Sequence, residues 1–190
     1  MIFPQAYKEE LVRSLDTIDL AKVGQAIEIL ARARDAGARI FVCGNGGSAS
    51  TASHFATDLV KGASFGREQR FRIMALTDSL PTITAYSNDV SYDCVFEEQL
   101  KNFAQAGDVV IAISSSGRSP NVVRAVEYGN ASGCTTIALT GRDGGPLGRA
   151  AQLNIHAAHE HTGRIEDLHV VVMHMICYYF MEEERGHPKS

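Results

Sequence analysis

Ala38-Arg39-Ile40-Phe41-Val42-Cys43-Gly44-Asn45-Gly46-Gly47-Ser48 reads as strand, glycine loop and helix start, because an apolar run ends in a cluster of glycines and opens into a Ser/Ala-rich segment. In such a turn Gly44, Gly46 and Gly47 let the backbone approach an anion, and the helix start behind them supplies unpaired N–H groups and a partial positive charge. Ser48 adds a hydroxyl at an N-cap position. A second loop repeats the pattern with hydroxyls: Ser114-Ser115-Ser116-Gly117-Arg118-Ser119 follows Val109-Val110-Ile111-Ala112-Ile113 and precedes a helix opened by Pro120. Either loop alone also reads as a Gly/Ser connector, but two in one small chain point to a phosphorylated small molecule. Gly44, Gly46 and Ala49 fit the loosest dinucleotide fingerprint as well. That reading wants an acidic residue about twenty positions on, at the end of the next strand. The next clear strand, Phe71 to Leu76, lies too far along, and Asp78 follows it only after Thr77.

At 190 residues the chain is most simply one domain, long enough to bury a core without staples. Its net charge of −4 and the lack of any basic run argue against a nucleic-acid surface. Cys43, Cys94, Cys134 and Cys177 lie far apart with no C-x-x-C pair, which suits reduced, structural thiols. The N-terminus lacks a charged start with an apolar core, and the longest apolar run, Val170 to Met175, is broken by His174, so we expect a cytoplasmic protein with no membrane partner.

Residues 5–36 read as helix, with Leu11, Leu15, Ile18, Val23, Ile27 and Leu30 at three- and four-residue steps and a break near Asp16 to Asp19. Strand-like runs follow at 39–43, 71–76, 108–114, 134–140 and 152–157, with helices near 48–61, 91–104 and 120–131. The strands are Val/Ile/Ala-rich without strict alternation, as expected of parallel strands covered on both faces. This predicts an α/β fold with a doubly wound parallel sheet sandwiched by helices. A last helix over 162–185 and a poorly ordered tail over 186–190 complete the chain. The N-terminal helix has a wide apolar stripe while the sheet already has helices to cover it, which predicts a homo-oligomer.

His54 and Asp58 stand four apart on the helix that begins near Ser48, so they share one face and can hold a metal or share a proton. Pairs of this kind are also common as surface hydrogen bonds. The final helix sets Glu166, Asp167, His169 and His174 among apolar residues, where a polar group needs a partner; a satisfied core histidine meets that need equally.

These residues, with Asn88-Asp89, Gly107-Asp108-Val109-Val110, Leu139-Thr140-Gly141, Asp143-Gly144-Gly145 and Arg164-Ile165, resemble the sugar isomerase (SIS) domain family and its heptose-phosphate isomerases over nearly the whole chain. The resemblance implies a Rossmann-like SIS fold and an aldose–ketose isomerase interconverting sedoheptulose 7-phosphate and D-glycero-D-manno-heptose 7-phosphate, an activity tied to heptose and lipopolysaccharide biosynthesis. By the same resemblance Ser48, Ser114, Ser115, Ser116 and Ser119 hold the sugar phosphate, Asn45 and Asp89 meet the sugar chain, and Gly46 and Gly47 are counted as substrate-binding. His54 and His174 match two zinc ligands of the family. Asp58 stands where the heptose enzymes carry Glu, and Glu166 where they carry Gln; both matched positions are metal ligands, and Glu166 is also counted as substrate-binding. Asp58 and His174 are the proton-transfer candidates. The resemblance further implies one zinc per site and a tetramer with shared active sites. The family also contains non-catalytic sugar-phosphate regulators and adaptors, including a partner of the replication initiator. Glu166 and His174 are eight residues apart, about 12 Å of helical rise, which is far for two ligands of one ion on one straight helix.

Overall fold

The computed structural model describes residues 2–184; Arg185 and the tail expected over 186–190 lie outside the described residues. The predicted N-terminal helix is two: α1 (Phe3–Leu15) and α2 (Leu20–Asp35). Asp19 causes the break to hold, its Oδ1 accepting from the N–H groups of Ala21 (3.0 Å) and Lys22 (3.3 Å) as the N-cap of α2.

Five strands follow, β1 (Arg39–Gly44), β2 (Arg72–Ala75), β3 (Val109–Ser114), β4 (Thr135–Gly141) and β5 (Leu153–Ala157). They pair in parallel in the order β2-β1-β3-β4-β5. The helices after β1 are α3 (Gly47–Thr57), α4 (Leu80–Asp89), α5 (Val95–Phe103), α6 (Pro120–Ala131), α7 (Gly145–Ala150) and α8 (Thr162–Tyr178). Of these, α4 and α7 were not predicted.

Alternate side chains of each central strand feed two cores. Ile40, Val42, Val109, Ile111 and Ile113 join Leu30, Phe55, Leu168, Val172 and Ile176 from α2, α3 and α8. Phe41, Cys43, Val110 and Ala112 join Phe96, Leu100, Val122 and Val126 from α5 and α6. With both faces buried, a continuous apolar run is the pattern such strands require. The four cysteines are free and buried, and burial pushes the Cys43 thiol up to about 12, which leaves it inert. Among the described residues no helix is long and apolar enough to cross a membrane.

In a sheet of this order the chain leaves β1 in one direction and β3 in the other, which opens a crevice at their carboxyl ends. The glycine loop leaves β1 and the serine loop leaves β3 at that point.

Candidate active site

Gly46 is the N-cap of α3 with φ 56°, so α3 begins at Gly47. Ser48 is therefore inside the first turn, not the N-cap expected from sequence; the left-handed cap suits a residue without a Cβ. Asn45 is fixed by a reciprocal amide pair with Asn121, Asn45 Nδ2 donating to Asn121 Oδ1 (2.9 Å) and Asn121 Nδ2 to Asn45 Oδ1 (3.0 Å), while the Tyr92 hydroxyl donates to Asn45 Oδ1 at 2.8 Å. Sequence reasoning missed Asn121 and Tyr92, since nothing local marks them.

The serine loop folds on itself. The Gly117 N–H donates to the Ser114 carbonyl (3.1 Å) and hydroxyl (3.2 Å), and the Arg118 N–H donates to Ser116 Oγ at 3.2 Å. Pro120 opens α6, as read from sequence, and Ser119 stands at its N-cap position without a side-chain capping bond. A cavity of about 220 Å³ results, lined by Asn45, Ser48, Ser114, Ser115, Ser116 and Ser119 together with Arg142, Thr162 and Glu166. Hydroxyls and amides dominate the lining, and the Ser48 side wall is the first turn of α3, a natural seat for an anion.

Glu166 faces this cavity. Its carboxylate packs over Gly47 so closely that a Cβ there would lie 2.6 Å from Glu166 Oε2. Eight residues further along α8, His174 lies against His54, with ring centroids 5.1 Å apart and planes at 82°. The helices α3 and α8 thus run side by side in the same direction, the serine pocket at their N-terminal ends and the histidines further down.

At that lower level Asp58 Oδ2 is 3.5 Å from His54 Nε2 and 3.9 Å from His174 Nε2. Each residue of this triad offers one ligand atom, and the three atoms lie within 4.8 Å of one another. Asp58 opens a π-helical turn, Asp58–Gly62, directly after α3. Such turns are frequent at functional sites. Glu166, expected as a fourth metal ligand, is not brought into this group: helical rise carries it away from His174 to the serine pocket. Asp89 is exposed at the end of α4 and does not line the serine pocket of its own chain.

His169 is a core histidine. Its Nε2–H donates to the Thr140 carbonyl at 3.0 Å, Nδ1 has no partner among the described residues, and burial lowers its pKa to about 4. Below its ordinary value of 6.5 the unfolded chain binds a proton that the fold refuses, so stability rises with pH between about 4 and 6.5. Acidification from pH 7 to 4 should cost about 3 kcal/mol through this group. Denaturant unfolding at both pH values should show a shallower pH dependence in His169→Gln, whose amide keeps a donor for Thr140.

Arg142 was also missed by sequence reading. Among the described residues it is the only cation lining the serine pocket and the only non-glycine residue with positive φ, 51°. Its N–H donates to the His159 carbonyl (3.0 Å) and its Nη2 to Thr162 Oγ1 (3.1 Å).

Residues 6–141 match the SIS domain model. The chain is 41% identical over 166 residues to a probable phosphoheptose isomerase of Thermoplasma volcanium, covering 87% of this chain and 82% of that one. It is 36% identical over 183 residues to the phosphoheptose isomerase of Aliarcobacter butzleri, covering 96% and 95%. The solved phosphoheptose isomerase of Neisseria gonorrhoeae superposes with a TM-score of 0.85 at 34% identity, over 93% of this chain and 95% of that one. With the domain model matched over most of the chain, relatives above 30% identical along nearly their whole length and a superposition at this level, the chain belongs to the SIS domain family and, within it, to the phosphoheptose isomerases.

Proposed function

We propose that this protein is an aldose–ketose isomerase interconverting sedoheptulose 7-phosphate and D-glycero-D-manno-heptose 7-phosphate, the whole chain acting as one SIS domain. The observation behind this reading is the pairing, along two parallel helices, of an anion-sized serine pocket with the His54, Asp58 and His174 triad. Seven residues of α3 separate Gly47 from His54, about 10 Å of rise. A substrate anchored by its phosphate at the serine loop brings its reacting carbons to the triad only if several carbons lie between. Anchoring the far end in this way makes the proton transfers effectively intramolecular.

In the ketose-to-aldose direction a base removes a C1 proton, the electron pair forms the C1=C2 bond of an enediol, and O2 takes up a proton. Proton delivery to C2 and loss of the O1 proton then give the aldose. Asp58 and His174 hold and move these protons, and Glu166, beside Gly47, contacts the sugar above them. Two imidazole nitrogens and a carboxylate within 4.8 Å are a sound donor set for a divalent cation with open positions, and we assign zinc to it. Bound there, zinc stabilises negative charge on a substrate oxygen. A non-catalytic sugar-phosphate regulator needs the serine pocket without the triad.

We also infer a homo-tetramer with sites completed between chains. A groove of about 760 Å³ runs beside the edge strand β2, lined in part by Val60, Ile73, Met74, Leu76 and Phe103. Phe3, Val12, Leu80 and Val90 are exposed nearby or on α1, and Asp89 does not line the serine pocket of its own chain. The α1 stripe is satisfied only in part by its own chain, where Leu11 and Leu15 meet the core and the Tyr7 hydroxyl donates to Asp167 Oδ2 at 2.6 Å.

The deciding experiment is turnover of sedoheptulose 7-phosphate by the purified protein, with elemental analysis and light scattering on the same sample. Expected are isomerisation, near-stoichiometric zinc, a mass above that of the monomer, and activity lost to a strong chelator and restored by metal. Full activity in rigorously metal-free protein rejects the metal; phosphosugar binding without turnover favours the regulator.

A further inference from the structure

We infer that Arg142 is the cationic arm of the phosphate cradle, an assignment that rests on the phosphosugar reading above. The pocket wall is otherwise neutral except for Glu166, a carboxylate placed over the first turn of α3. An incoming phosphate shares the cavity with that negative charge, and hydroxyls alone do not offset the repulsion. The neighbouring arginines are committed elsewhere, Arg118 to Asp143 and Arg164 to Glu10. Arg142 makes no ion pair among the described residues and spends one N–H on Thr162 Oγ1, which leaves most of its donors for a ligand.

The backbone supports the same assignment. A φ of 51° is costly for a residue with a Cβ, and the chain could have relieved it with glycine, as it does two positions on at Gly144 (φ 76°). Instead an arginine is held there by the His159 carbonyl, between the β4–α7 loop and the segment that enters α8. The planar guanidinium matches a phosphate edge in a way that a serine hydroxyl or an ammonium does not.

Arg142→Gly removes the arm while relieving the backbone, and Arg142→Lys keeps the charge without the fork. Inorganic phosphate binding by calorimetry, kinetics on sedoheptulose 7-phosphate and thermal melting are measured for the full-length wild type and both variants. Arg142→Gly should bind phosphate roughly 10- to 100-fold more weakly, the size of a lost charge-assisted contact, with the kinetic loss falling on KM and a Tm no lower than wild type. Arg142→Lys should lie between. Unchanged phosphate affinity in Arg142→Gly, or a wild type that binds no phosphate at millimolar concentration, overturns the assignment. So does a weakened Arg142→Gly whose Tm falls, since that marks a scaffold role. Phosphate binding is read without turnover, so an inactive wild type whose phosphate affinity still depends on Arg142 removes the isomerase reading and keeps this one. An active wild type indifferent to the substitution does the reverse.

Discussion

Asp58→Asn is expected to lower kcat on sedoheptulose 7-phosphate by about 100-fold or more, the usual contribution of a positioned acid–base group. The substitution is nearly isosteric, so packing around the π-turn is kept. What disappears is the one negative charge between two imidazoles, 3.5 Å from His54 Nε2 and 3.9 Å from His174 Nε2. The serine pocket is untouched, which keeps phosphate anchoring and should leave inorganic phosphate affinity near that of wild type. Elemental analysis divides the effect: retained zinc with lost turnover assigns Asp58 to proton transfer, and loss of both assigns it to ligation. Wild-type kcat in this variant would remove Asp58 from the chemistry altogether.

Gly117→Ala should be the most damaging small substitution in the phosphate region. Gly117 has φ 63°, and a Cβ there would lie 2.0 Å from the Gly144 carbonyl oxygen and 2.6 Å from its carbon. These are backbone atoms of the loop before α7, and they cannot swing aside as a side chain does. The contact is mutual, because a Cβ on Gly145 would sit 2.5 Å from the Gly117 oxygen, and the Leu147 N–H donates to that same oxygen at 3.0 Å. Left-handed strain and overpacking together should cost roughly 2–4 kcal/mol, a fall in Tm on the order of 10 °C. Gly66 supplies the control, with φ 72° and nothing within 4 Å of an added Cβ. Gly66→Ala carries only the strain, about 1 kcal/mol. If the two variants melt alike, the loops do not clasp as described.

Both experiments probe contacts between segments far apart in the chain, and such contacts divide what could be read in advance from what could not. Each strand was legible within a residue or so because its apolar run had to satisfy two cores, as Phe41 and Val42 do on opposite faces of β1. The helix α4 was not. Its Thr82-Ile83-Thr84 core is β-branched and reads as extended, it buries no residue, and its first turn is set by the Ile83 N–H bond to the Ser79 carbonyl (3.0 Å) and the Ser79–Thr82 hydroxyl contact (2.7 Å). The short α7 has two glycines in six residues and exists because it is clasped to the serine loop.

The chain alone was enough for a parallel α/β sheet, for the glycine and serine loops after β1 and β3, and for the pairing of His54 with Asp58, because periodicity, glycine placement and a four-residue helical step are local properties. Tertiary structure decided that His174 completes that pair while Glu166, on the same helix, goes to the serine pocket, since 1.5 Å of rise per residue puts the two at different levels of α3. It also decided that Arg142 lines the serine pocket, because only the approach of the β4–α7 loop to the β3–α6 loop brings that residue beside the serines.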